Sequence, residues 1–264
     1  MSRIANTFKA LKEKNKKALI PYITAGDPHP DLTVTMLHAL VDAGADMIEL
    51  GIPFSDPMAD GPTIQRASER ALAHHLGLSH VFKMVKAFRE KDTKTPIILM
   101  GYANPIEAIG AENFVNRAKA SDVDGIITVD YPPEECMDFT KLLKEKNIDS
   151  IFLLSPTTEL DRVKLIVEQA SGFLYYVSLK GVTGAANIDI EQVKSKVSII
   201  RELTNLPIGV GFGVKDAETA KEVAKISDAV VVGSRMVQEI ENSNKDHLIE
   251  NISKLMKELR LAVN

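Results

Sequence analysis

The sequence contains a single cysteine, Cys136, among 264 residues. One thiol cannot form a disulfide within the chain, but a chain of this length can bury a large core without covalent or metal cross-links. Scarce cysteine is typical of proteins from reducing compartments. Lys9, Lys12 and Lys14 interrupt any apolar run near the start, so we expect no signal peptide and a cytoplasmic protein.

Long apolar runs and an excess of basic charge are also missing. No stretch approaches the about 20 apolar residues that a membrane-spanning helix needs. The 32 basic and 36 acidic side chains give a net charge of −4, whereas nucleic-acid-binding proteins usually carry a basic excess or stripe. We therefore expect neither a membrane nor a nucleic acid as partner.

Several common functional motifs do not occur. No cluster of His, Cys and Asp has the spacing of metal ligands, so we expect no metal site. A Gly-x-Ser-x-Gly elbow and a Walker phosphate loop are absent too. No linker, repeat or low-complexity segment divides the chain, which predicts one domain over residues 1–264.

What the sequence does contain is eight short apolar runs that alternate with amphipathic segments. Runs of this kind are typical of strands buried on both faces of a parallel sheet. Eight strands, each followed by a helix, predict an α/β protein with a single closed (β/α)8 TIM barrel. The predicted strands are 18–24, 47–51, 96–101, 125–129, 150–154, 174–178, 207–211 and 229–233. The predicted helices are 31–43, 64–90, 111–120, 134–146, 159–170, 190–204, 217–226 and 247–261.

An extra helix is predicted before the first strand. Ile4, Phe8 and Leu11 lie on one helical face, with lysines opposite. We expect this helix to cover the bottom of the barrel. Two unusual connections, 53–62 and 179–189, follow strands 2 and 6 at the end of the barrel where such enzymes keep their active sites.

Glu49 is a carboxylate within an otherwise apolar strand. Strand side chains alternate, so if Ile48 and Leu50 pack against the helices, Glu49 points into the barrel. Burial should raise the pKa of Glu49 toward neutrality, a range useful for proton transfer. The alternative is a structural glutamate that forms a salt bridge with a neighbouring strand.

Two aspartates lie in the proline-rich connection after strand 2. The prolines stiffen this segment, so Asp56 or Asp60 could be held over a pocket with little loss of entropy. The alternative for each is a turn-capping or helix-capping role.

Glycines end the last two predicted strands. Strand 7 ends in Gly209, Gly211 and Gly213, and strand 8 ends in Gly233 and Ser234. Barrel enzymes often bind phosphate there, on backbone N–H groups and at the start of a short helix. The alternative is glycine required for packing.

The segment ELGIPFSDPMADGPTIQ, residues 49–65, is similar to the signature of tryptophan synthase alpha chains. The match is long and nearly uninterrupted, which makes it specific. Other segments extend the resemblance over almost the whole chain. They are PYITAGDP (21–28), MGYANP (100–105), VDYPPEE (129–135), KGVTGA (180–185) and GVGFGV (209–214).

The resemblance implies a lyase of tryptophan biosynthesis, which cleaves indole-3-glycerol phosphate to indole and glyceraldehyde 3-phosphate. It implies that Glu49 is the general acid–base and Asp60 the second catalytic carboxylate. It also implies no cofactor in this subunit and a PLP-dependent beta chain as partner in an α2β2 complex. The substrate-binding residues implied are Tyr22, Met100, Ile127 and Phe212 around indole, Tyr175 near the reacting centre, Thr183 near Asp60, and Gly184, Gly213, Gly233 and Ser234 around the phosphate.

The chain departs from the family pattern at a few positions. Leu179 and Lys180 stand where a Ser-Arg pair is usual, Tyr22 stands where phenylalanine is common, and Arg235 replaces a small residue. Two other functions stay open from the residues themselves. One is another phosphate-binding barrel enzyme of amino-acid biosynthesis, and the other is a non-catalytic subunit that activates a partner.

Overall fold

The computed structural model describes residues 1–178, 190–211 and 213–264. Its eight strands are parallel and close into a barrel in chain order, with β1 paired to β8. This confirms the predicted α/β TIM barrel. The strands are β1 Ala18–Thr24, β2 Ile48–Gly51, β3 Ile97–Gly101, β4 Gly125–Thr128, β5 Asp149–Leu154, β6 Leu174–Val177, β7 Ile208–Gly211 and β8 Ala229–Val232.

The predicted strands match the observed ones to within one residue at each end. They could be found from sequence because the barrel buries them on both faces, for example every residue of β1 and β8. A continuous apolar run is the pattern that such burial requires.

Twelve α-helices occur in the described part of the chain. The predicted helix 64–90 is wrong as a single helix, because Gly77 has an extended backbone and begins a new helix after a turn. Two short helices, 103–109 and 234–242, were not predicted. The helices are α1 Arg3–Glu13, α2 Thr33–Asp42, α3 Pro62–Leu72, α4 Leu78–Arg89, α5 Ala103–Ile109, α6 Ala111–Ala120, α7 Met137–Glu145, α8 Leu160–Gln169, α9 Ile190–Leu203, α10 Ala217–Ile226, α11 Ser234–Asn242 and α12 Leu248–Val263.

Helix α1 covers the end of the barrel at which the strands begin. Ile4 and Phe8 are buried in the cluster that fills the barrel interior. The ring of Phe8 packs against Phe173, with 5.7 Å between the ring centroids. A Cβ on Gly125, the first residue of β4, would lie 2.9 Å from Ile4. The predicted helix and its position are therefore confirmed.

A repeated device fixes the same end of the barrel. Asp46, Asp124 and Asp228 lie just before β2, β4 and β8, and each accepts a hydrogen bond from a backbone N–H of the preceding strand. Each carboxylate also pairs with an arginine from the outer helices, which compensates for its burial. These arginines are Arg260, Arg89 and Arg201, respectively. This end of the barrel serves stability, and the opposite end is free to carry a site.

Candidate active site

A cavity of about 200 Å³ lies at the end of the barrel where the strands finish. Both predicted carboxylates, Glu49 and Asp60, line it. The structure brings six of the predicted binding residues to the same cavity. They are Tyr22, Met100, Tyr175, Gly213, Gly233 and Ser234.

Glu49 reaches this cavity from the interior face of β2. Ile48 and Leu50 pack in the outer core between strands and helices, whereas Met47 packs inside the barrel. Glu49 lies between them in sequence, is 1% exposed and lines the cavity. The expectation from strand alternation is therefore confirmed.

The Glu49 carboxylate is buried, and nothing among the described residues compensates for its burial. Its Oε1 has no hydrogen-bond partner among the described residues, and none of their cations forms an ion pair with it. Burial raises the pKa of Glu49 from 4.5 to about 8. Within the described part of the chain, the alternative of a salt-bridged structural glutamate finds no support. A carboxyl group with this pKa can hold a proton at neutral pH and still release it.

Asp60 enters the cavity from the end of the connection 53–62. Gly61, not Asp60, is the N-cap of α3, and no backbone N–H among the described residues donates to the Asp60 carboxylate. The helix-capping alternative for Asp60 is therefore wrong. Asp56, by contrast, is exposed, accepts a hydrogen bond from the Ser55 hydroxyl and does not line the cavity. The tertiary structure thus selects Asp60 over Asp56.

Tyr102 was not predicted as a site residue, although it lies within the quoted segment MGYANP. It is the residue before α5, and its hydroxyl accepts a hydrogen bond from the Ala59 N–H at 3.1 Å. The same hydroxyl is near enough to Asp60 to lower the pKa of that carboxyl, while burial raises it more strongly. The ring of Tyr102 also packs on Phe54, with 5.4 Å between centroids. Tyr102 therefore anchors the stiff connection to the end of β3.

Two tyrosines form walls of the cavity, and each needs a glycine opposite. A Cβ on Gly51 would overlap the hydroxyl of Tyr22, and a Cβ on Gly211 would overlap that of Tyr175. Burial is the main cause that raises the pKa of both tyrosines well above 10, so both hydroxyls keep their protons. The glycines that end β2 and β7 make room for these neutral donors.

Gly213, Gly233 and Ser234, which were predicted to hold a phosphate, line one end of the cavity. Gly213 has a φ of 79°, a conformation that favours glycine. Gly233 is the N-cap of α11, and no described side chain caps this helix, so its first N–H groups can face a ligand. A Cβ on Gly233 would make only an ordinary contact at 3.8 Å. The packing alternative fits Gly209 instead, where a Cβ would lie 3.1 Å from the ring of Phe173.

Ion pairs fix helix α11 beside the cavity. Arg66 and Arg70 of α3 both bind Glu241 of α11, at 2.7 and 2.8 Å. Arg70 also pairs with the fully buried Asp27 at 2.6 Å. The last turn of α11, which contains Glu241, is thereby held against α3 and Asp27.

Not every predicted binding residue is found at the cavity. Ile127 is fully buried inside the barrel beside its register partner Met100, and it does not line the cavity. Thr183, Gly184 and Phe212 lie outside the described residues, as do Leu179 and Lys180.

Two kinds of feature do not occur among the described residues. No three His, Cys, Asp or Glu side chains within 1–178, 190–211 and 213–264 gather closely enough to hold a metal ion. Among the helices of the same ranges, none combines the length and apolar character that crossing a membrane requires.

Comparison with known proteins agrees with this geometry. A family model described as tryptophan synthase alpha chain matches residues 8–263. The chain is 56% identical to the tryptophan synthase alpha chain of Nitrosomonas europaea, over 100% of this chain and 96% of that protein. It is 57% identical to the alpha chain of Herminiimonas arsenicoxydans, over 100% of both. The crystal structure of tryptophan synthase subunit alpha from Legionella pneumophila is 44% identical and superposes with a TM-score of 0.93, over 100% of this chain and 98% of that one.

Proposed function

Because the chain belongs to the tryptophan synthase alpha chain family, we propose that Glu49 and Asp60 are the residues that carry its reaction. The chain is a lyase of tryptophan biosynthesis and cleaves indole-3-glycerol phosphate to indole and glyceraldehyde 3-phosphate. The observation that supports this assignment most is the buried, uncompensated carboxyl of Glu49 in the same cavity as Asp60.

The chemistry explains why two carboxyl groups are needed. Direct cleavage of the carbon–carbon bond would leave a carbanion on carbon 3 of indole, which is too unstable. Protonation of carbon 3 first turns the ring into an electron sink, with positive charge that reaches N1. The reaction therefore needs an acid above the ring and a negative group beside N1–H.

Glu49 supplies the proton. With a pKa of about 8, its carboxyl is mostly protonated at neutral pH. After it has protonated carbon 3, the carboxylate removes a proton from the side-chain hydroxyl, and the carbon–carbon bond breaks. Acid–base catalysis of this kind contributes roughly 10² to 10⁴ in rate.

Asp60 stabilises the charge that develops at N1. Its carboxylate accepts the N1–H hydrogen bond, which strengthens as positive charge forms on the ring. Electrostatic stabilisation by one such group is worth on the order of 3 kcal/mol. The bond from Tyr102 favours the ionised form of Asp60 and opposes the effect of burial on its pKa. Tyr102 is therefore a positioning residue for Asp60.

The substrate is oriented from the other end of the cavity. Gly213, Gly233 and Ser234, together with Gly184, would hold the phosphate several bonds away from the reacting carbons. Tyr22, Met100, Tyr175 and Phe212 remain the proposed contacts of the indole side, and Thr183 the proposed neighbour of Asp60, whereas Ile127 is buried beside Met100. Anchoring both ends places the reacting groups before the reaction begins.

The family works with a beta chain. We propose an α2β2 complex in which PLP belongs to the beta chain and this subunit needs no cofactor. The proposed docking face includes the connection 53–62 and Asn104-Pro105, which lie beside the cavity. Met58 on this face is an apolar side chain that is 78% exposed, which supports a protein partner there.

The remaining proposals concern the whole chain. Closure of all eight strands into one barrel supports a single domain over residues 1–264. The single cysteine supports the cytoplasm as its compartment. The charge balance supports neither nucleic acid nor a membrane as partner.

Indole release from indole-3-glycerol phosphate by the purified chain tests the proposed function. We expect release without added metal or cofactor. Membership of the family excludes the alternative of a different phosphate-binding barrel enzyme. No indole from the isolated chain, but indole in the presence of a beta chain that is itself inactive on this substrate, would point instead to a subunit that depends wholly on its partner.

A further inference from the structure

The end of the cavity proposed to bind phosphate is lined by cationic side chains as well as by glycines. Lys215 and Arg235 both line it, next to Gly213, Gly233 and Ser234. A dianionic group bound at this end would therefore face two cationic side chains in addition to the backbone N–H donors.

Arg235 is held in place by its own helix. It is the second residue of α11, and its Nη1 binds Glu239 one turn later at 2.8 Å. The side chain is 31% exposed, so part of it is in contact with solvent in the cavity mouth. An arginine has five N–H donors in a planar fork, and one ion pair leaves several of them available for an anion.

We propose that Arg235 binds the phosphate of the substrate and makes the site specific for phosphorylated ligands. The inference rests on the proposed function, since it adds a ligand to the phosphate of that substrate. Glu239 orients the guanidinium, the uncapped start of α11 supplies N–H groups, and Arg235 closes on the phosphate from the side. Charge-assisted hydrogen bonds of this kind are stronger than those between neutral groups.

Binding of two small ligands separates the role of Arg235 from that of the rest of the cavity. Glycerol 3-phosphate carries the anion, and indole is neutral. We expect Arg235→Ala to weaken glycerol 3-phosphate about tenfold in calorimetric titration, equal to ~1.4 kcal/mol, and to leave indole affinity within about twofold. In steady-state assays KM should rise by a similar factor while kcat changes less.

Arg162→Ala is the matched control. Like Arg235, Arg162 is paired with a glutamate, Glu134 at 3.0 Å, but it is exposed and does not line the cavity. The control should bind glycerol 3-phosphate as the unsubstituted chain does. An equal loss of affinity in both variants would show an effect of net charge and would overturn the inference.

The outcome can also be told apart from a failure of the proposed function. If the unsubstituted chain releases indole but Arg235→Ala binds glycerol 3-phosphate normally, the inference is wrong and the function stands. If Arg235→Ala lowers the melting temperature, the same titrations are made with Arg235→Lys instead. Recovery of phosphate affinity in Arg235→Lys supports the inference, and an equal loss of indole and glycerol 3-phosphate affinity in that variant overturns it.

Discussion

Tyr22 and Glu49 are register partners on β1 and β2, and both side chains face the cavity. The Tyr22 hydroxyl nevertheless forms its hydrogen bond with the hydroxyl of Thr24, with 3.3 Å between the two oxygens. No donor among the described residues therefore reaches Oε1 of Glu49. This arrangement keeps a proton on the carboxyl, because burial penalises the charged form and no neighbour compensates for it.

Glu49→Gln should abolish cleavage while the substrate still binds. The amide has nearly the same shape but cannot transfer a proton to carbon 3. We expect steady-state turnover to fall by at least 10² to 10⁴, roughly the contribution of general acid–base catalysis. Glycerol 3-phosphate binding serves as the control for an intact cavity. Turnover within about tenfold of the unsubstituted enzyme would refute the role of Glu49.

The same substitution should change how stability depends on pH. The pKa of Glu49 is about 8 in the folded chain, against an ordinary value of 4.5 for an exposed glutamate. Both the folded and the unfolded state are protonated below pH 4.5, so the folded state incurs no penalty there. As pH rises toward 8, the unfolded chain loses this proton first, and the folded state becomes less stable by on the order of 5 kcal/mol.

Urea unfolding of both proteins between pH 5 and about pH 8.5 measures this effect. The free energy of unfolding of the Glu49→Gln variant, minus that of the unsubstituted chain, should increase as pH rises. Other buried carboxyls such as Asp124 are common to both proteins and cancel in the difference. Parallel curves would mean that folding does not raise the pKa of Glu49.

Asp60 and Tyr102 should act together. Asp60→Asn removes the negative group beside N1 and should lower turnover by on the order of 10² to 10³. Tyr102→Phe removes a bond that lowers the pKa of Asp60, so that pKa should rise. In the proposed mechanism Asp60 acts in its ionised form, so on acidification the variant should lose activity at a higher pH than the unsubstituted enzyme does. Near neutral pH we expect turnover about tenfold lower.

The pH profile distinguishes a positioning role from a merely structural one. A Tyr102→Phe variant with an unchanged acid limb but a lower melting temperature would show that Tyr102 only anchors the connection 53–62. A large loss of melting temperature in Asp60→Asn with normal turnover would make Asp60 a structural residue.

The bottom of the barrel should respond differently. Asp124 binds Arg3, Arg89 and the N–H of Ile97, and its side chain is 5% exposed. Asp124→Ala removes the buried partner of Arg89, whose side chain is 7% exposed, and should cost about 3–5 kcal/mol. Asp161→Ala removes a fully exposed carboxylate and should leave the melting temperature almost unchanged. Equal melting temperatures for the two variants would contradict the conclusion that this end of the barrel serves stability.

The partner should raise turnover. With the cognate beta chain at saturation, we expect indole formation to exceed that of the isolated chain. Met58→Glu should weaken the complex, because it places a charge on an apolar side chain of the proposed docking face. Leu261→Glu is the control, since Leu261 is as exposed as Met58 but lies near the end of α12, at the opposite end of the barrel. No rise in turnover, with complex formation shown independently, would mean that this chain acts alone.

Local pattern determined much of this protein. The apolar runs located all eight strands, because a strand that is buried on both faces requires a nearly continuous apolar sequence. The two-residue period of a strand was enough to point Glu49 into the barrel. The spacing of Ile4 and Phe8 was enough to predict the helix that covers the bottom.

Other features depended on contacts between distant parts of the chain. Asp56 and Asp60 have similar local sequences, and only the tertiary structure shows that Asp60 lines the cavity, near the Tyr102 hydroxyl, while Asp56 is exposed. Ile127 looks like a pocket residue in sequence, yet its position on β4 buries it beside Met100. Arg235 looked like a departure from a pattern until α11 placed it at the phosphate end. The sequence by itself determined which residues form the strands and which way they face. Only closure of the barrel decided which of them meet, because those distances depend on register and packing between segments far apart in the chain.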